Sequence, residues 1–241
     1  MKGILVAVVC MLSGLCFAAD KERVNIVLID IAPSAYKENG KSLGSTYDIT
    51  KHIAQRAGFD YEIKIKPFPR VVLELGSGAA DMSILLENSA LQGKVTIVTP
   101  IYPIQSIILT NTDFPVRSPS DLDGKRVGVI RNASFHKKLP NYQTLKLYQV
   151  ANYRQGIKML RANRIDALVS VDMAIYFSLN KMSISRSEFS IPYVFDKKDI
   201  LLQVSDRIAT PEQLKKMRTI VAEMKANGSM EEIISRYLGS E

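Results

Sequence analysis

Short apolar runs alternate with amphipathic segments along most of the chain, and this alternation constrains the fold more than any other feature. Residues 24–29 and 61–66 have strand patterns on either side of an amphipathic helix that ends at Gly58. Residues 127–130 and 166–171 repeat the arrangement further along the chain. A βαβα order predicts a mostly parallel sheet with helices on both faces. Because the units recur in two halves, we expect an α/β protein with two small lobes rather than one large sheet.

The remaining segments extend this pattern. Ser45 or Thr46 is expected to cap the first helix, and Asn152 to cap a helix in the second half. A helix that starts near Phe135 is expected to be broken by Pro140. Further strands are expected at residues 82–86, 95–98, 104–109, 145–150 and 200–204, and further helices at residues 70–75 and 172–179 and over two closing segments, the first capped by Thr210.

The N-terminus has the pattern of a secretory signal. Lys2 precedes an apolar run over residues 4–12, and small residues follow it. The apolar run is too short to favour a membrane-spanning helix. We therefore predict a cleaved signal peptide over residues 1–19 and a mature protein that works in an export compartment.

Both cysteines, Cys10 and Cys16, fall within this signal. The mature chain is therefore predicted to have no disulfide, no cysteine–metal site and no cysteine nucleophile. A lipid anchor on Cys16 is the alternative. It is disfavoured because Leu15 occupies the position where lipoprotein signals have a small residue.

Composition excludes several classes of protein. Apolar residues make up 46% of the chain and charged residues 23%, which rules out a disordered chain and a multi-pass membrane protein. The formal net charge is +8. Because basic pairs are scattered with acidic residues between them, we expect a solvated basic surface and no nucleic-acid partner.

Polar residues that follow predicted strands are the candidate ligand contacts. The loop from Arg131 to Ser134 follows a strand and opens a helix, so it suits a carboxylate or phosphate, although a plain helix cap is the alternative. Asp172 is placed either to receive a cationic group or to cap a helix. Tyr36 is either a residue that stacks on a ligand or a surface tyrosine. Asp81 is expected in a turn.

Signatures of cofactor and metal sites are incomplete. Residues 35–42 resemble a phosphate-binding loop, but Ala35 replaces the first glycine. His52 and His136 are the only histidines, and neither has a second ligand at metal spacing. No Gly-x-Ser-x-Gly motif is present. We therefore expect neither a cofactor nor a metal.

Four segments have the spacing of motifs found together in one bacterial family. The most specific is S-P-S-D-L-D-G-K-R-V-G-V at residues 118–129, which is similar to S-x-x-D-L-x-G-K-x-V-G-V. Three weaker likenesses follow the same order: Leu160, Arg164, Asp166, Ala167 and Asp172 resemble L-x-x-G-R-x-D-A-x-v-x-D, and the other two occur at residues 69–81 and 228–237. The chain thereby resembles the periplasmic solute-binding proteins of family 3, which serve amino-acid ABC importers.

The resemblance implies a type II periplasmic binding protein fold, in which two lobes joined by two hinge crossings close on a ligand. Lobe I would hold residues 20–108 and 200–241, and lobe II residues 109–199. It also implies a periplasmic location.

The resemblance also implies roles for single residues. Ser134 matches the loop that holds the ligand carboxylate, and Asp172 matches the aspartate that holds the amino group. The family's carboxylate-binding arginine is missing near Leu109. Either Arg131 or Arg70 takes its place, or the ligand lacks an α-carboxylate.

Three functions compete at this point. The leading one is a monomeric, non-catalytic protein that captures a small polar solute for an ABC permease or a membrane sensor. The second is an enzyme on the same fold, such as a dehydratase, for which Glu87 is the candidate general acid. The third is a degenerate cleft in a protein that acts through a protein partner.

Overall fold

The computed structural model describes residues 23–131 and 135–238, which contain ten strands and six α-helices. The predicted signal peptide, both cysteines and Ser134 lie outside the described residues. The strands are β1 (Val24–Ile29), β2 (Tyr36–Glu38), β3 (Lys41–Leu43), β4 (Tyr61–Lys66), β5 (Met82–Leu85), β6 (Thr96–Thr110), β7 (Arg126–Ile130), β8 (Lys146–Val150), β9 (Ala167–Val171) and β10 (Tyr193–Val204). The helices are α1 (Ser45–Ala57), α2 (Phe68–Gly76), α3 (Tyr153–Arg161), α4 (Asp172–Lys181), α5 (Pro211–Ala226) and α6 (Ser229–Leu238).

Eight of the strands form one mixed sheet in the order β4-β1-β5-β10-β6-β9-β7-β8. In lobe I, β1 pairs in parallel with β4 and β5, and in lobe II, β7 pairs in parallel with β8 and β9. The two long strands, β6 and β10, are antiparallel to each other and to their neighbours. Each lobe therefore has the parallel arrangement that the βαβα order predicts, and the antiparallel strands that join the lobes are an addition to it.

Strands β6 and β10 are the two crossings between the lobes. In lobe I, Leu201 of β10 pairs with Leu85 of β5 and with Pro100 of β6. In lobe II, Ser106 of β6 pairs with Val171 of β9. Leu85 ends the parallel strand β5, and Val171 ends the parallel strand β9. The residues of β6 that are level with these two strand ends, Pro100 and Ser106, are only a short segment apart. The C-terminal edges of the two lobes therefore face each other across the middle of the crossings.

Each lobe has its own core. In lobe I, α1, α5 and α6 cover one face of the sheet, where Ile26 and Ile49 are fully buried, and α2 covers the other face through Val71. In lobe II, α3 and α4 cover one face through residues such as Ile157 and Ile175, and short 3-10 turns cover the other. Within the described part of the chain, no helix has both the length and the apolar character needed to cross a membrane.

The crossing strands are the main departure from the expected secondary structure. Residues 95–98 and 104–109 are expected to form separate strands, but Thr96–Thr110 is one strand that includes Pro100 and Pro103. Likewise, residues 200–204 are only the end of β10. Shifts of register between β6 and β10, one of them between Asp199 and Leu201, accommodate the prolines within the paired strands.

Two expected helix starts also differ. Gly44, and not Ser45 or Thr46, is the N-cap residue of α1, and it makes no side-chain cap. A Cβ on Gly44 would lie 2.2 Å from the carbonyl oxygen of Ser34, so the close approach of the two segments requires glycine here. The expected helix at Phe135 is a short 3-10 turn. The expected caps of Asn152 and Thr210 are present, on the N–H groups of Gln155 and Gln213.

Candidate functional site

The candidate site lies where the C-terminal edges of the two lobes meet, because ligands of open α/β sheets bind at this edge. On the lobe I side, the segment that follows β5 forms one wall of a cavity of 590 Å³. Residues of the crossing strand β10 form another wall. The polar side chains at this cavity are Glu87, Asn88, Ser89, Gln92, Lys198, Asp199 and Gln203.

Two of these side chains are already engaged with the backbone. Gln203 is buried, and its amide Nε2 donates to the carbonyl oxygen of Leu85 at 3.2 Å, so it ties β10 to the end of β5. Asn88 accepts the N–H of Ala90 at 2.9 Å and caps a 3-10 turn. Glu87, the candidate acid of the enzyme hypothesis, is an exposed residue at this cavity. The wall therefore offers hydrogen-bonding groups and one exposed carboxylate at the end of β5.

Asp172 lies on the opposite side, as the first residue of α4 directly after β9. Its Oδ1 accepts the N–H of Met173 at 2.7 Å and the N–H of Gln105 at 3.2 Å. Gln105 belongs to the crossing strand β6, so the carboxylate lies at the hinge between the lobes. Burial raises the pKa of the Asp172 carboxyl above its ordinary value, and the backbone hydrogen bonds oppose this effect. A cationic ligand group would offset the cost of burying this charge.

Tyr36 packs against lobe II. It lies in β2, and its ring makes an edge-to-face contact with Phe177 of α4, with 5.6 Å between the ring centroids. Next to this contact, Lys181 of α4 donates to the two carboxylate oxygens of Glu38 at 3.0 and 3.1 Å. The hairpin of β2 and β3 therefore contacts the other lobe through one aromatic pair and one ion pair.

The two arginines proposed for the ligand carboxylate belong to different lobes. Arg131 directly follows β7, and its N–H donates to the carbonyl oxygen of Val150 at 2.9 Å. Because β7 and β9 are parallel neighbours, Arg131 and Asp172 follow neighbouring strands of lobe II. Arg70 lies in α2 of lobe I, where its Nε is 3.5 Å from a carboxylate oxygen of Glu74.

A buried cluster of hydroxyl groups supports the lobe I side of the hinge. The hydroxyl of Tyr102, in the middle of β6, is 2.9 Å from Oγ1 of Thr46 and 3.3 Å from Oγ of Ser45. Burial raises the pKa of Tyr102, and these hydrogen bonds oppose the rise. The two hydroxyls at the start of α1 therefore bond to the crossing strand and do not cap their helix. No local sequence signal distinguishes these two uses.

The structure thus places Asp172 at the hinge, Arg131 on the neighbouring strand end and Tyr36 against α4. None of these three residues lines the 590 Å³ cavity, and neither does Arg70, which lies in α2 of lobe I. No group of three or more acidic, histidine or cysteine side chains within residues 23–131 and 135–238 has a metal-binding arrangement.

Comparison with known proteins agrees with this architecture. The family model described as bacterial extracellular solute-binding proteins, family 3, matches residues 25–240. The chain is 25% identical to the arginine-binding extracellular protein ArtP of Bacillus subtilis, in an alignment that covers 88% of this chain and 84% of that protein. It is 20% identical to the probable amino-acid-binding protein YxeM of the same organism, over 93% of this chain and 88% of that protein.

A solved structure shows the same fold. The second substrate-binding domain of Lactococcus lactis GlnP, in its open conformation, matches with a TM-score of 0.72 and 23% identity. The match covers 92% of this chain and 97% of that domain. Since the family model spans nearly the whole described chain and the fold has two lobes joined by two crossings, the chain belongs to the bacterial extracellular solute-binding proteins, family 3.

Proposed function

We propose that this protein captures an amino acid or a related small polar solute between its two lobes and delivers it to an ABC permease. The observation that carries the proposal is that the C-terminal edges of both lobes meet beside an open cavity of 590 Å³. This volume is in the usual range for small-molecule sites. The names of ArtP and YxeM, which describe arginine and amino-acid binding, support this class of solute.

Asp172 is the proposed contact for the ligand's amino group. Its carboxylate lies at the hinge, and both of its hydrogen bonds to Gln105 and Met173 use Oδ1. A cation beside this partly buried carboxylate lowers its pKa again, so binding and ionisation support each other. The chemistry at the hinge therefore favours a ligand with a positive charge.

The carboxylate of an amino acid would be held by the loop of Arg131 and Ser134 in lobe II, with Arg70 as the candidate on lobe I. Arginine is suited to this role because its guanidinium pairs with both carboxylate oxygens. Tyr36 is proposed to border the closed cleft with the part of its ring that Phe177 does not cover.

The lobe boundaries that we propose follow the two crossings: lobe I holds residues 20–108 and 200–241, and lobe II holds residues 109–199. The register shift between Asp199 and Leu201 supports the second crossing point. Ser106 already pairs with β9, which favours moving the first crossing point a few residues earlier, to about residue 105.

We also propose that residues 1–19 are removed on export and that the mature protein works as a monomer in the periplasm. The family description, extracellular solute-binding, supports export. N-terminal sequencing of the secreted protein tests the cleavage, and light scattering tests the monomer.

A thermal-melt screen of residues 20–241 against amino acids, polyamines, organic acids and sugars tests the solute. A ligand at 100 times its Kd stabilises the folded protein by about 2.7 kcal/mol. For a protein of this size, we expect the melting temperature to rise by roughly 5 to 10 °C. A flat screen with folded protein that is free of bound solute would contradict solute capture.

The variant Asp172→Asn tests the amine contact. It keeps an oxygen for the N–H groups of Gln105 and Met173 but removes the charge, so we expect the melting shift with an amine ligand to be lost. The matched control is Asp166→Asn, an aspartate of the same lobe that lies before β9 and away from the cleft. An equal loss of the shift in both variants would argue against a specific role for Asp172.

A further inference from the structure

A second surface, on the outer side of α3 in lobe II, carries an unusual concentration of positive charge. From residue 146 to residue 165 the chain has five basic residues and no acidic one. They are Lys146, Arg154, Lys158, Arg161 and Arg164. Together with residues 124–145, which also have no acidic residue, this segment forms the longest part of residues 20–241 without a carboxylate side chain.

The arrangement on the helix is unfavourable for α3 by itself. Arg154 lies in the first turn, which contains no acidic residue, although the positive end of the helix dipole favours one there. Arg154 and Lys158 are four residues apart, so two like charges are neighbours on the helix surface. Neither feature improves the stability of the lobe, which suggests that the charges serve another purpose.

Of the four basic residues from Arg154 to Arg164, one has an acidic partner in the described part of the chain and three do not. Arg161 pairs with Glu188 at 2.9 Å. Within residues 23–131 and 135–238, no carboxylate lies within ion-pair distance of Arg154, Lys158 or Arg164. These three cations are therefore available to an external anionic group.

The three free cations border a single groove of 560 Å³. Its lining between them includes Gln155, Met159 and Ala162, so the surface has an amide for hydrogen bonding and a small apolar part. None of these residues lines the 590 Å³ cavity beside the end of β5. We call the surface formed by Arg154, Lys158 and Arg164 around this groove the basic groove.

We infer that the basic groove is a docking surface for an acidic, extended segment of a protein partner. Successive residues of α3 rise by about 1.5 Å, so Arg154 and Lys158 are separated by about 6 Å along the axis. Side chains on one face of an extended chain recur about every 6.8 Å. Carboxylates at alternate positions of such a segment therefore match the spacing of the cations.

A protein segment fits the groove better than a lipid surface does. Amphipathic helices that lie on membranes place large apolar side chains beside their basic residues. None of the exposed large apolar side chains of the described chain is on α3. The concave shape and the apolar part near Met159 instead suit side chains of a bound peptide.

The test uses residues 20–241 and a fluorescent ten-residue peptide of alternating Glu and Ser, with a Gln and Ser peptide as the neutral probe. The groove variant is Arg154→Gln, Lys158→Gln and Arg164→Gln together. The matched control is Lys215→Gln, Lys216→Gln and Arg236→Gln, which removes the same charge from exposed residues of α5 and α6. Thermal melts check that both variants are folded.

We expect the acidic peptide to bind the wild-type protein in a salt-dependent manner and the neutral peptide not to bind. The groove variant should lose at least tenfold in affinity, and the control variant less than twofold. Equal losses of affinity in both variants would show that peptide binding depends only on the net charge of the protein, and this would overturn the proposal. It would also be overturned by no binding of the acidic peptide, or by binding only to vesicles of anionic phospholipid.

Discussion

Both lobes hold an aspartate in the same local setting. Asp81 precedes β5 in lobe I, and Asp166 precedes β9 in lobe II. Each carboxylate accepts the N–H group near the start of the first strand of its lobe, that of Asn25 at 2.8 Å and that of Arg126 at 2.7 Å. In return, the N–H of Asp81 donates to the carbonyl oxygen of Asn25, and the N–H of Asp166 donates to that of Arg126.

The two carboxylates differ in burial and in the origin of their partners. The side chain of Asp81 is 2% exposed, and Arg207, far along the chain, donates to it from Nε at 2.6 Å. The side chain of Asp166 is 27% exposed, and its guanidinium partner belongs to Arg126, which already bonds to it through the backbone. The same local motif therefore closes a buried long-range contact in lobe I and a half-exposed one in lobe II.

The largest effect is expected for Asp81→Ala. The change removes the buried carboxylate to which Arg207 Nε and the N–H of Asn25 donate, which should lower the free energy of unfolding by about 3 kcal/mol. For Asp166→Ala we expect about 1 kcal/mol, because water reaches this pair. Urea unfolding of both variants measures the difference. Equal losses of unfolding free energy in the two variants would show that the shared hydrogen-bond motif, and not burial, determines how much each aspartate stabilises the protein.

Acid should weaken the contacts of both carboxylates. Burial raises the pKa of Asp81, but hydrogen bonds from Arg207 and Asn25 outweigh it and lower the pKa overall. The hydrogen bond from Arg126 lowers the pKa of Asp166. A carboxylate with a lowered folded-state pKa stabilises the protein fully above its unfolded pKa of about 3.9, and this contribution is lost as the pH falls through the folded-state pKa.

Thermal melts from neutral pH to about pH 2.5 measure this dependence. The difference in the free energy of unfolding between the wild type and Asp81→Asn should become smaller below about pH 4, and so should the difference between the wild type and Asp166→Asn. A difference for Asp81→Asn that stays constant with pH would contradict the assigned ion pair.

Strands β1 and β7, which contain Asn25 and Arg126, also differ in the size of a side chain that follows these residues. Two residues beyond Asn25 is the buried Val27, and two residues beyond Arg126 is Gly128. A Cβ on Gly128 would lie 2.5 Å from Cδ1 of Ile165. We expect Gly128→Ala to lower the free energy of unfolding by about 2 kcal/mol through overpacking.

The variant Ile165→Val removes the methyl group that the new Cβ would meet. Combined with Gly128→Ala, it should cost less than the sum of the two single changes in a double-mutant cycle. Strict additivity would show that Ile165 is not the residue that excludes a side chain at position 128.

The smallest effect is expected at the contact between the lobes. Glu38 and Lys181 are each about half exposed, at 43% and 49%. A cycle of Glu38→Gln and Lys181→Gln should therefore give a coupling of about 0.5 kcal/mol or less. The coupling should decrease at high salt, since exposed pairs are screened. A coupling as large as that of the buried pair in lobe I would mean that this contact holds the lobes together.

Local patterns predicted much of the fold. Hydrophobic periodicity located β1, β4, β7 and the helices between them, and side-chain chemistry located the caps of Asn152 and Thr210. Asp172 was placed at a strand end by the same reasoning. These features depend on residues that are close in sequence, so a short window contains the information.

Other features depend on distant partners and were not predictable in this way. The prolines of β6 look like strand breakers, yet pairing with β10 continues through them. Asp81 was expected in a turn, and its carboxylate instead pairs with a residue of the closing part of the chain. Ser45 and Thr46 looked like a helix cap, but the fold brings the hydroxyl of Tyr102 to them.

The sequence by itself determined the order of strands and helices, the two-lobed family and the candidate polar residues at strand ends, because periodicity, capping and motif spacing are local properties. Only the tertiary structure decided how the lobes are joined, which carboxylate is buried with a distant arginine and which cations on and after α3 have no acidic partner among the described residues. These are properties of groups that meet in space, and the free energy of such contacts depends on burial and partners that no short segment of the chain contains.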